Sequence, residues 1–388
     1  MTIGWCLCGL LGLAGVLAAV IPATALASAQ AVPSAPEHVK VYYKPGRFGG
    51  WPANHGMWIW GNEILVGFSA GDYKDLGPDR HNIDRDRPES HLFARSLDGG
   101  ETWSIEDPSK DGVLLPEGKM LHGKELPGIP KPAWKDCTGG IDFTAPDFAM
   151  TLRLTDNDKG PSRFFTSTDR GHHWNGPFRL PDMGTPGIAA RTDMIPTGKH
   201  TSLFFLTSAK SDGQEGRPFC AKSTDGGKSF QFVSWIGQEP SGYAIMPATV
   251  KLGRNELYTV IRCADENHSW LTAYRSRDLG KTWESEGVLA ETGEGNPASM
   301  IKLKDGRLSL VYGIRKKPFR MVARLSSDGG HTWSAERILR EDGSSRDIGY
   351  PRSVQRPDGK VVSAYYFSDA ATGPERYICA TVWDPGKK

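Results

Sequence analysis

The sequence predicts an all-β protein, a six-bladed β-propeller whose blades are four-stranded antiparallel sheets. Its 388 residues include 46 glycines and 27 prolines, which favour many turns and few long helices. One turn motif occurs five times along the chain, and one strand motif occurs six times. Repeats at this spacing are typical of propellers and solenoids, in which each unit packs on its neighbours. The net charge of only +2 argues against a nucleic-acid binder.

Residues 1–29 are predicted to be a signal peptide. The run from Ile3 to Val20 is almost wholly apolar, and the small residues Ala27 and Ala29 suit a signal-peptidase cleavage site. The run is also long enough to span a membrane, so an uncleaved anchor is the alternative. Cleavage near Gln30 would give an exported protein, periplasmic or secreted, with no membrane attachment of its own.

Export would also permit disulfide bonds in the remaining chain. Four cysteines follow the predicted cleavage site: Cys137, Cys220, Cys263 and Cys379. They could form up to two disulfides in any of three pairings, which the sequence does not distinguish. None of the four belongs to a Cys-x-x-Cys pair, so no metal site is expected.

The repeated turn has the pattern Ser-x-Asp-x-Gly-x-x-aromatic. It begins at Ser96, Ser167, Ser223, Ser276 and Ser326, at spacings of 71, 56, 53 and 50 residues. In a β-hairpin, the Asp side chain accepts hydrogen bonds from the following amides, and Gly adopts a positive φ. The motif therefore predicts a structural hairpin in five blades, and a metal-binding role for its carboxylates is the less favoured interpretation.

Six related segments precede or follow these turns and predict the innermost strands. They begin at Gly50, Thr144, Ile188, Ile245, Gly295 and Gly349, and most continue with a residue followed by proline. An apolar second strand follows each one, so every blade is expected to be a four-stranded meander. The sixth repeat lacks the turn motif. Its last segment, residues 376–383, is expected to pair with Val41–Tyr43, which would close the ring of a domain spanning residues 40–386.

The innermost strands of a propeller surround its axis, so equivalent residues on them meet near one mouth of the channel. The residue before the strand proline is Trp51, Ala145, Met246, Asn296 or Tyr350 in five of the repeats, and Ala190 or Arg191 takes this place in the third. Arginines recur where second strands end, at Arg153, Arg262 and Arg315, and Arg320 opens the strand that follows Arg315. Because a guanidinium matches the geometry of a carboxylate, these arginines predict an anionic ligand at this mouth.

The chain resembles the sialidase (neuraminidase) superfamily of six-bladed propellers over essentially all of residues 40–386. The turn motifs match the Asp-boxes (BNR repeats) of that family. Four further segments match it: Gly46–Phe48, Thr259–Arg262, Tyr312–Arg320 and Asp347–Pro351. The resemblance implies that Arg47, Arg262 and Arg320 bind the carboxylate of a sialic acid and that Tyr350 is the nucleophile. It implies no cofactor.

One residue departs from the family pattern. Sialidases place a glutamate beside the nucleophilic tyrosine, and this chain has Met246 at the corresponding position before Pro247. A thioether cannot accept a proton, and a phenol has a reference pKa near 10, so another base is needed. Asp193, Asp147 and Glu294 are the candidates, with Asp193 slightly preferred.

The general acid is expected in the long loop after the second strand of blade one, where the family carries an aspartate. Asp84 is the first candidate in this loop and Asp79 the second. His81 is an alternative proton carrier, because imidazole titrates near neutral pH. His55 lies in the innermost strand of the same blade and is a weaker candidate for the site.

Three functions remain open at this point. The favoured one is an exported exo-glycosidase of the sialidase type that hydrolyses terminal acidic sugars of glycans. The second is a polysaccharide lyase or hydrolase for another uronate-like sugar, since arginine, tyrosine and histidine also suit β-elimination. The third is a propeller that binds glycans without catalysis. No glycine-rich loop follows a strand and opens a helix, so neither a nucleotide nor a redox cofactor is expected.

Overall fold

The computed structural model describes residues 1–7, 35–77, 80–118 and 128–386. Within the described chain from residue 35 onward, the strands form six antiparallel sheets arranged as successive meanders. The predicted six-bladed β-propeller is confirmed. Residues 1–7 contain no strand or helix, and the rest of the predicted signal peptide lies outside the described residues.

Strands are numbered in chain order, and each blade is built from consecutive strands except that β1 belongs to blade six. Up to the end of blade three the strands are β1 (Glu37–Tyr42), β2 (Arg47–Gly50), β3 (Met57–Trp60), β4 (Glu63–Asp72), β5 (Ser90–Ser96), β6 (Ser104–Glu106), β7 (Ala149–Leu154), β8 (Ser162–Ser167), β9 (Asn175–Leu180), β10 (Met194–Gly198), β11 (Thr201–Ala209), β12 (Glu215–Ser223) and β13 (Gln231–Trp235). Blades four to six contain β14 (Tyr243–Lys251), β15 (Leu257–Ala264), β16 (Ser269–Ser276), β17 (Glu284–Glu291), β18 (Ser299–Lys302), β19 (Leu308–Ile314), β20 (Phe319–Ser326), β21 (Arg337–Gly343), β22 (Gly349–Gln355), β23 (Val361–Phe367) and β24 (Tyr377–Trp383).

The N-terminal strand closes the ring. β1 pairs antiparallel with β24, with Lys40 opposite Cys379 and Tyr42 opposite Ile378. Blade six therefore takes its outermost strand from the other end of the chain, in the order β1-β24-β23-β22. This pairing, which the sequence predicts, covers the strand edge that β24 would otherwise expose.

Blades one and two depart from the predicted four strands. In blade one the innermost strand is split into β2 and β3 by a 3-10 helix at Pro52–Asn54, and both parts pair with β4. Blade two has three strands among its described residues, β7-β8-β9. The segment expected as its innermost strand is a turn, because the Asp142 side chain accepts from the Thr144 amide at 2.9 Å and the Ala145 amide bonds back to the Asp142 carbonyl.

The Asp-box turns form the hairpins that the motif predicts. In blade one, Ser96 Oγ accepts from the Gly100 amide at 2.7 Å, and Asp98 Oδ1 accepts from the Thr102 amide at 2.9 Å. The Trp103 indole donates to the Gly100 carbonyl at 3.0 Å and covers the turn. The other four turns repeat the serine-to-glycine bond at 2.8–2.9 Å. Local hydrogen bonds therefore explain why the same residue types recur in all five turns.

The turns lie at the opposite ends of the strands from the arginines that the sequence singles out. In blade four, Ser276 of the Asp-box is opposite Leu257, at the start of β15, whereas Arg262 lies near the end of β15. The same holds in blade five, where Ser326 is opposite Leu308 and Arg320 is opposite Ile314. The Asp-box face and the arginine face are therefore the two opposite faces of the propeller.

Removal of one Asp-box carboxylate is expected to cost stability and leave activity intact. Asp98→Ala deletes the acceptor for the turn amides and should lower the free energy of unfolding by about 1–2 kcal/mol. Thermal unfolding of the variant measures this loss, with Asp225→Ala in blade three as a second test. A variant that unfolds like the wild type and yet loses its activity would contradict the structural role of these turns.

The core consists of apolar clusters within and between neighbouring blades. Tyr258 and Val260 of blade four, for example, pack with Leu310 and Tyr312 of blade five. The four cysteines that follow the predicted cleavage site are free thiols: Cys137, Cys220, Cys263 and Cys379. The disulfides that export would permit are therefore not formed in this fold, because the last three thiols are buried in the sheets of different blades.

Candidate functional site

A cavity of about 400 Å³ lies on the arginine face of the propeller. Side chains from blades one, two, three, four and six line it, so it is placed where the blades converge. Its lining includes polar and ionisable residues: Asn54, His81, Asp156, Asp158, Arg191, Gln214, Glu215, Tyr243, Arg262 and Tyr350. A second cavity of about 260 Å³ adjoins it, since His81 lines both. Together they form the candidate site.

Tyr350 enters this cavity from a distorted strand. Its φ of 50° is left-handed, and the pairing of β22 with β23 is interrupted by a bulge between Gly349 and Arg352. The Tyr350 amide donates to Asn296 Oδ1 at 3.0 Å, and Asn296 Nδ2 donates to the Ile348 carbonyl at 2.8 Å. Asn296, predicted as a ligand-binding residue, is fully buried and fixes the backbone on which Tyr350 sits. Such backbone strain in a non-glycine residue is concentrated at functional sites.

Two other predicted site residues occupy the same kind of position in their blades. Met246 and Trp51 also have left-handed φ values, 56° and 58°, and both are buried in one apolar cluster with Tyr350. The Trp51 ring meets the His81 ring edge-on at 5.1 Å between centroids. Trp51 and Met246 therefore support the floor of the site rather than line the 400 Å³ cavity.

Arg262 holds the tyrosine hydroxyl. Its Nη1 donates to Tyr350 Oη at 2.8 Å, and its Nη2 donates to Tyr243 Oη at 2.9 Å. Burial works to lower the pKa of Arg262, but the two phenol oxygens outweigh it and raise that pKa above its usual value. Gly295, with a φ of +80°, permits this close packing, because a Cβ there would lie 3.0 Å from the guanidinium.

His81 is paired with a buried carboxylate. Its Nδ1 lies 2.7 Å from Asp347 Oδ1, which also accepts from the Tyr366 hydroxyl at 2.5 Å. Burial opposes the charge on Asp347, yet His81, Arg376 and Arg315 outweigh burial and hold the pKa of this carboxyl well below its usual range. Asp347 is therefore an acceptor for an Nδ1–H of His81, which makes Nε2 the basic nitrogen of the ring.

Arg315 lies beside this pair. It donates from Nε and Nη2 to the Ile348 carbonyl and from Nη2 to the Tyr366 hydroxyl at 2.6 Å. Its guanidinium carbon is 5.5 Å from the centre of the Tyr350 ring, and it lines the 260 Å³ cavity. Arg262 and Arg315 are both predicted from their places at the ends of second strands. They reach the site from two neighbouring blades, four and five.

The structure does not bring Arg47 or Arg320 to this cavity. Arg47 forms an ion pair with Asp72, its cross-strand partner in β4. Arg320 pairs with Glu336 at 3.3 Å on its own blade. In both cases a carboxylate nearby in the same blade takes the guanidinium, and of the three arginines that the resemblance implies, only Arg262 lines the cavity.

The carboxylates considered as a base for Tyr350 lie elsewhere. Asp193 is buried with Met246 around a small void near the axis, where it accepts from the Thr249 hydroxyl at 2.9 Å and burial raises its pKa to about 7. Asp147 hydrogen-bonds to Arg170 of an Asp-box turn, on the opposite face. Glu294 forms an ion pair with Arg346. None of the three hydrogen-bonds to the Tyr350 hydroxyl in the described chain.

The long loop of blade one contributes His81 to the cavity and not the first-ranked aspartate. Asp84 forms an ion pair with Lys74 at 3.3 Å instead, and Asp79 lies outside the described residues. His55 is buried below the site, with its Nε2 3.1 Å from Ser69 Oγ and its ring edge-on to His91. His55 is not among the residues that line the 400 Å³ cavity.

Sequence reasoning did not single out several residues that the site contains. Asp347 appeared only inside a matching segment, although its place three residues before Tyr350 could have marked it as a partner in the same blade. Tyr243 carries no motif that distinguishes it. Arg191, one of the two residues expected at the third inner-strand position, does line the cavity and pairs with Glu215 at 2.5 Å. Within the described residues, no group of three or more His, Cys, Asp or Glu side chains is placed to bind a metal ion.

The Asp-box turns on one face of the propeller and the arginine–tyrosine cavity on the other place this chain in the class of sialidase-like propeller proteins. Residues 151–362 match the model of the BNR repeat-like domain, and the chain belongs to this family. No curated protein sequence matches the chain significantly. Among the described residues, none of the helices has the length and apolar character that crossing a bilayer requires.

Several solved structures share this fold. A protein of unknown function from Dyadobacter fermentans is 20% identical, with a TM-score of 0.67 over 90% of this chain and 98% of its own. The NanB sialidase from Streptococcus pneumoniae is 12% identical, with a TM-score of 0.56 over 88% of this chain and 70% of its own. An α-L-arabinanase from Penicillium chrysogenum, complexed with arabinobiose, is 13% identical, with a TM-score of 0.56 over 91% and 98%. At these identities the likeness concerns the fold alone.

Proposed function

We propose that this protein cleaves glycans next to a sugar that carries a carboxylate, and that it does so by β-elimination. One observation carries the proposal: His81, held by Asp347, and Tyr350, held by Arg262, line the same cavity. Two proton-transfer groups beside fixed guanidinium groups are what elimination from a uronate-like sugar requires. The glycan-active neighbours, a sialidase and an arabinanase, support a glycan as the ligand class.

Two arginines would bind the carboxylate of the sugar. Arg262 lines the cavity, and each of its terminal NH2 groups donates one of its two hydrogens to a tyrosine, which leaves the second for a ligand. The guanidinium carbon of Arg315 lies 5.5 Å from the centre of the Tyr350 ring. Positive charge at the carboxylate stabilises the negative charge that develops when the neighbouring carbon loses its proton, which lowers the barrier to elimination.

Proton transfer would use the other two side chains. His81 Nε2 accepts the proton from the carbon next to the carboxylate. The electron pair of that C–H bond forms a carbon–carbon double bond as the adjacent carbon–oxygen glycosidic bond breaks. Tyr350 donates its hydroxyl proton to the leaving oxygen, and this hydroxyl is oriented because its oxygen accepts from Arg262. The products are an unsaturated sugar acid and a shortened glycan, and exchange with water restores both groups.

Sialidase-type hydrolysis is the second candidate, favoured by the positions of the same two residues. Tyr350 holds the place of the nucleophile that the resemblance implies, and His81 comes from the loop in which that family carries its general acid. Hydrolysis through a tyrosine nucleophile needs a base for the phenol. The hydrogen-bond partner of the phenol here is Arg262, which donates and cannot take the proton, so elimination makes fuller use of the residues present.

The products distinguish these reactions. Purified protein is incubated with sialylated glycans and, separately, with uronate-containing glycans. Elimination gives ultraviolet absorbance from the new conjugated double bond, whereas sialidase-type hydrolysis gives free sialic acid and no such absorbance. Binding of either glycan with neither product would overturn both reactions and indicate a non-catalytic glycan-binding propeller.

Arg262→Lys is expected to weaken the binding of acidic glycans. An ammonium group cannot bridge Tyr350, Tyr243 and a carboxylate as the guanidinium does, so the dissociation constant should rise about ten- to hundredfold. Arg320→Lys is the matched control, because Arg320 pairs with Glu336 away from the cavity. Calorimetric titration with an acidic oligosaccharide compares the two. An equal loss in Arg320→Lys would mean that the ligand binds elsewhere.

We further propose that the chain is exported and that cleavage near Gln30 releases it. The apolar run and the small residues before this position support the proposal. Mass spectrometry of the mature protein tests it, and an intact N-terminus on a membrane-bound product would favour the anchor instead.

A further inference from the structure

A larger groove adjoins the candidate site. It has a volume of about 940 Å³, more than twice that of the cavity around Tyr350, and is lined by loops of blades one, five and six. Arg315 and Arg346 line both this groove and the 260 Å³ cavity, and His81 lines both the 260 Å³ and the 400 Å³ cavities. The three spaces are therefore neighbours, and the proposed base lies between the two smaller ones.

The groove carries positive charge without a described carboxylate partner at two lysines. Five basic residues line it against three acidic ones: Arg315, Lys316, Lys317, Arg346 and Arg376 against Asp75, Glu294 and Asp369. The three arginines are paired, Arg346 with Glu294 and both Arg315 and Arg376 with the buried Asp347. Lys316 and Lys317 are exposed, and neither forms an ion pair with a described carboxylate.

The groove also offers an apolar face. The half-buried ring of Phe319 lines it two residues after Lys317. An aromatic ring beside cationic side chains suits a sugar chain, because the ring packs on the C–H face of a sugar while the ammonium groups pair with its carboxylates. A site for one terminal sugar would not need this space, which Arg315 lines and Tyr350 does not.

We propose that the groove binds further acidic sugars of the same chain, so that the substrate is a polyanionic glycan of several sugar units and not a single terminal residue. The proposal rests on the proposed function, since it extends the same site. The loop formed by Lys316 and Lys317 would bind the sugars beyond the cleaved bond, and Arg315 would lie at the junction of the two parts.

The test measures affinity as a function of chain length. Oligogalacturonates and α2,8-linked oligosialates of two and of six sugars are titrated into Tyr350→Phe protein, which is chosen because its cleavage is slow. We expect the six-sugar chain of the preferred type to bind about tenfold more tightly than the two-sugar chain, since two or more ion pairs are added. In a variant that also carries Lys316→Ala and Lys317→Ala, this advantage should disappear.

A matched control separates the groove from overall charge. Lys228→Ala with Lys281→Ala removes two exposed lysines from Asp-box turns on the opposite face, and the length advantage should persist. Equal affinity for both lengths, persistence of the advantage without Lys316 and Lys317, or its loss in the control would each overturn the groove proposal while leaving the proposed function intact. Absence of binding to any acidic oligosaccharide would overturn the proposed function itself.

Discussion

Tyr350→Phe is expected to lower kcat by about 10²–10⁴-fold, because it removes the proton that the leaving oxygen must receive. The ring is retained, and it packs against Tyr366 at 5.8 Å between centroids, so the variant should fold with the stability of the wild type. It should still bind acidic glycan, because Arg262 and Arg315 remain. Initial rates and calorimetric affinity on the glycan that the wild type cleaves measure the two effects separately.

Tyr243→Phe is the control for this substitution. Its hydroxyl accepts from the same arginine, at 2.9 Å, so both variants remove one hydrogen bond to Arg262. If Tyr350 acts as the acid, its loss should reduce kcat far more than the loss of the Tyr243 hydroxyl. Similar small losses in both variants would show that each tyrosine only positions Arg262, and would exclude Tyr350 from proton transfer.

His81→Gln is expected to reduce kcat to a similar degree, about 10²–10⁴-fold, because glutamine cannot accept a proton from carbon. Asp347→Asn tests the partner of His81, which acts through the imidazole and does not contact substrate. We expect it to lower kcat with little change in KM, since the carboxylate orients the ring at 2.7 Å, Arg262 is held by the two tyrosines, and Arg315 keeps its hydrogen bonds to the Ile348 carbonyl. A rise in KM without a change in kcat would contradict this positioning role.

Asp347 should also influence stability in a pH-dependent way. Because the pKa of Asp347 is held below its unfolded value, its ionised form stabilises the fold above that value, near 4, and this contribution is lost as the pH falls. The difference in Tm between wild type and Asp347→Asn should therefore be largest at neutral pH and shrink on acidification. A difference that grows as the pH falls would contradict the assignment of an ionised Asp347.

The propeller could be predicted from sequence because its signals are local. In each Asp-box the serine and aspartate side chains accept hydrogen bonds from residues at most four positions away, as at Ser96 and Asp98. The split innermost strand of blade one and the turn in blade two were not predicted. In blade one, the left-handed Trp51 and the 3-10 helix after it interrupt the strand. In blade two, the Asp142 side chain caps a turn. An alignment of the repeats shows only what the blades share, so it does not reveal features that belong to one blade.

The site could be predicted only in part, because the partner of each charged side chain depends on contacts distant in sequence. Arg262 and Tyr350 follow from their places on equivalent strands. Arg47 matched a family segment equally well, yet the register of β2 and β4 sets Asp72 opposite it. Asp347 and His81 are 266 residues apart, and nothing in either local segment indicates that they meet.

The pairing of β1 with β24 has a consequence for how the protein is made. The strand that completes blade six is among the first parts of the domain to leave the ribosome, whereas its partner is among the last, so this sheet cannot form before synthesis reaches residue 383. Until then the nascent chain holds an unpaired strand at its N-terminal end, the kind of edge that invites association with other chains. Ring closure is thus a late event, and a chain that stops short of β24 would lack a finished propeller however well its first five blades had folded.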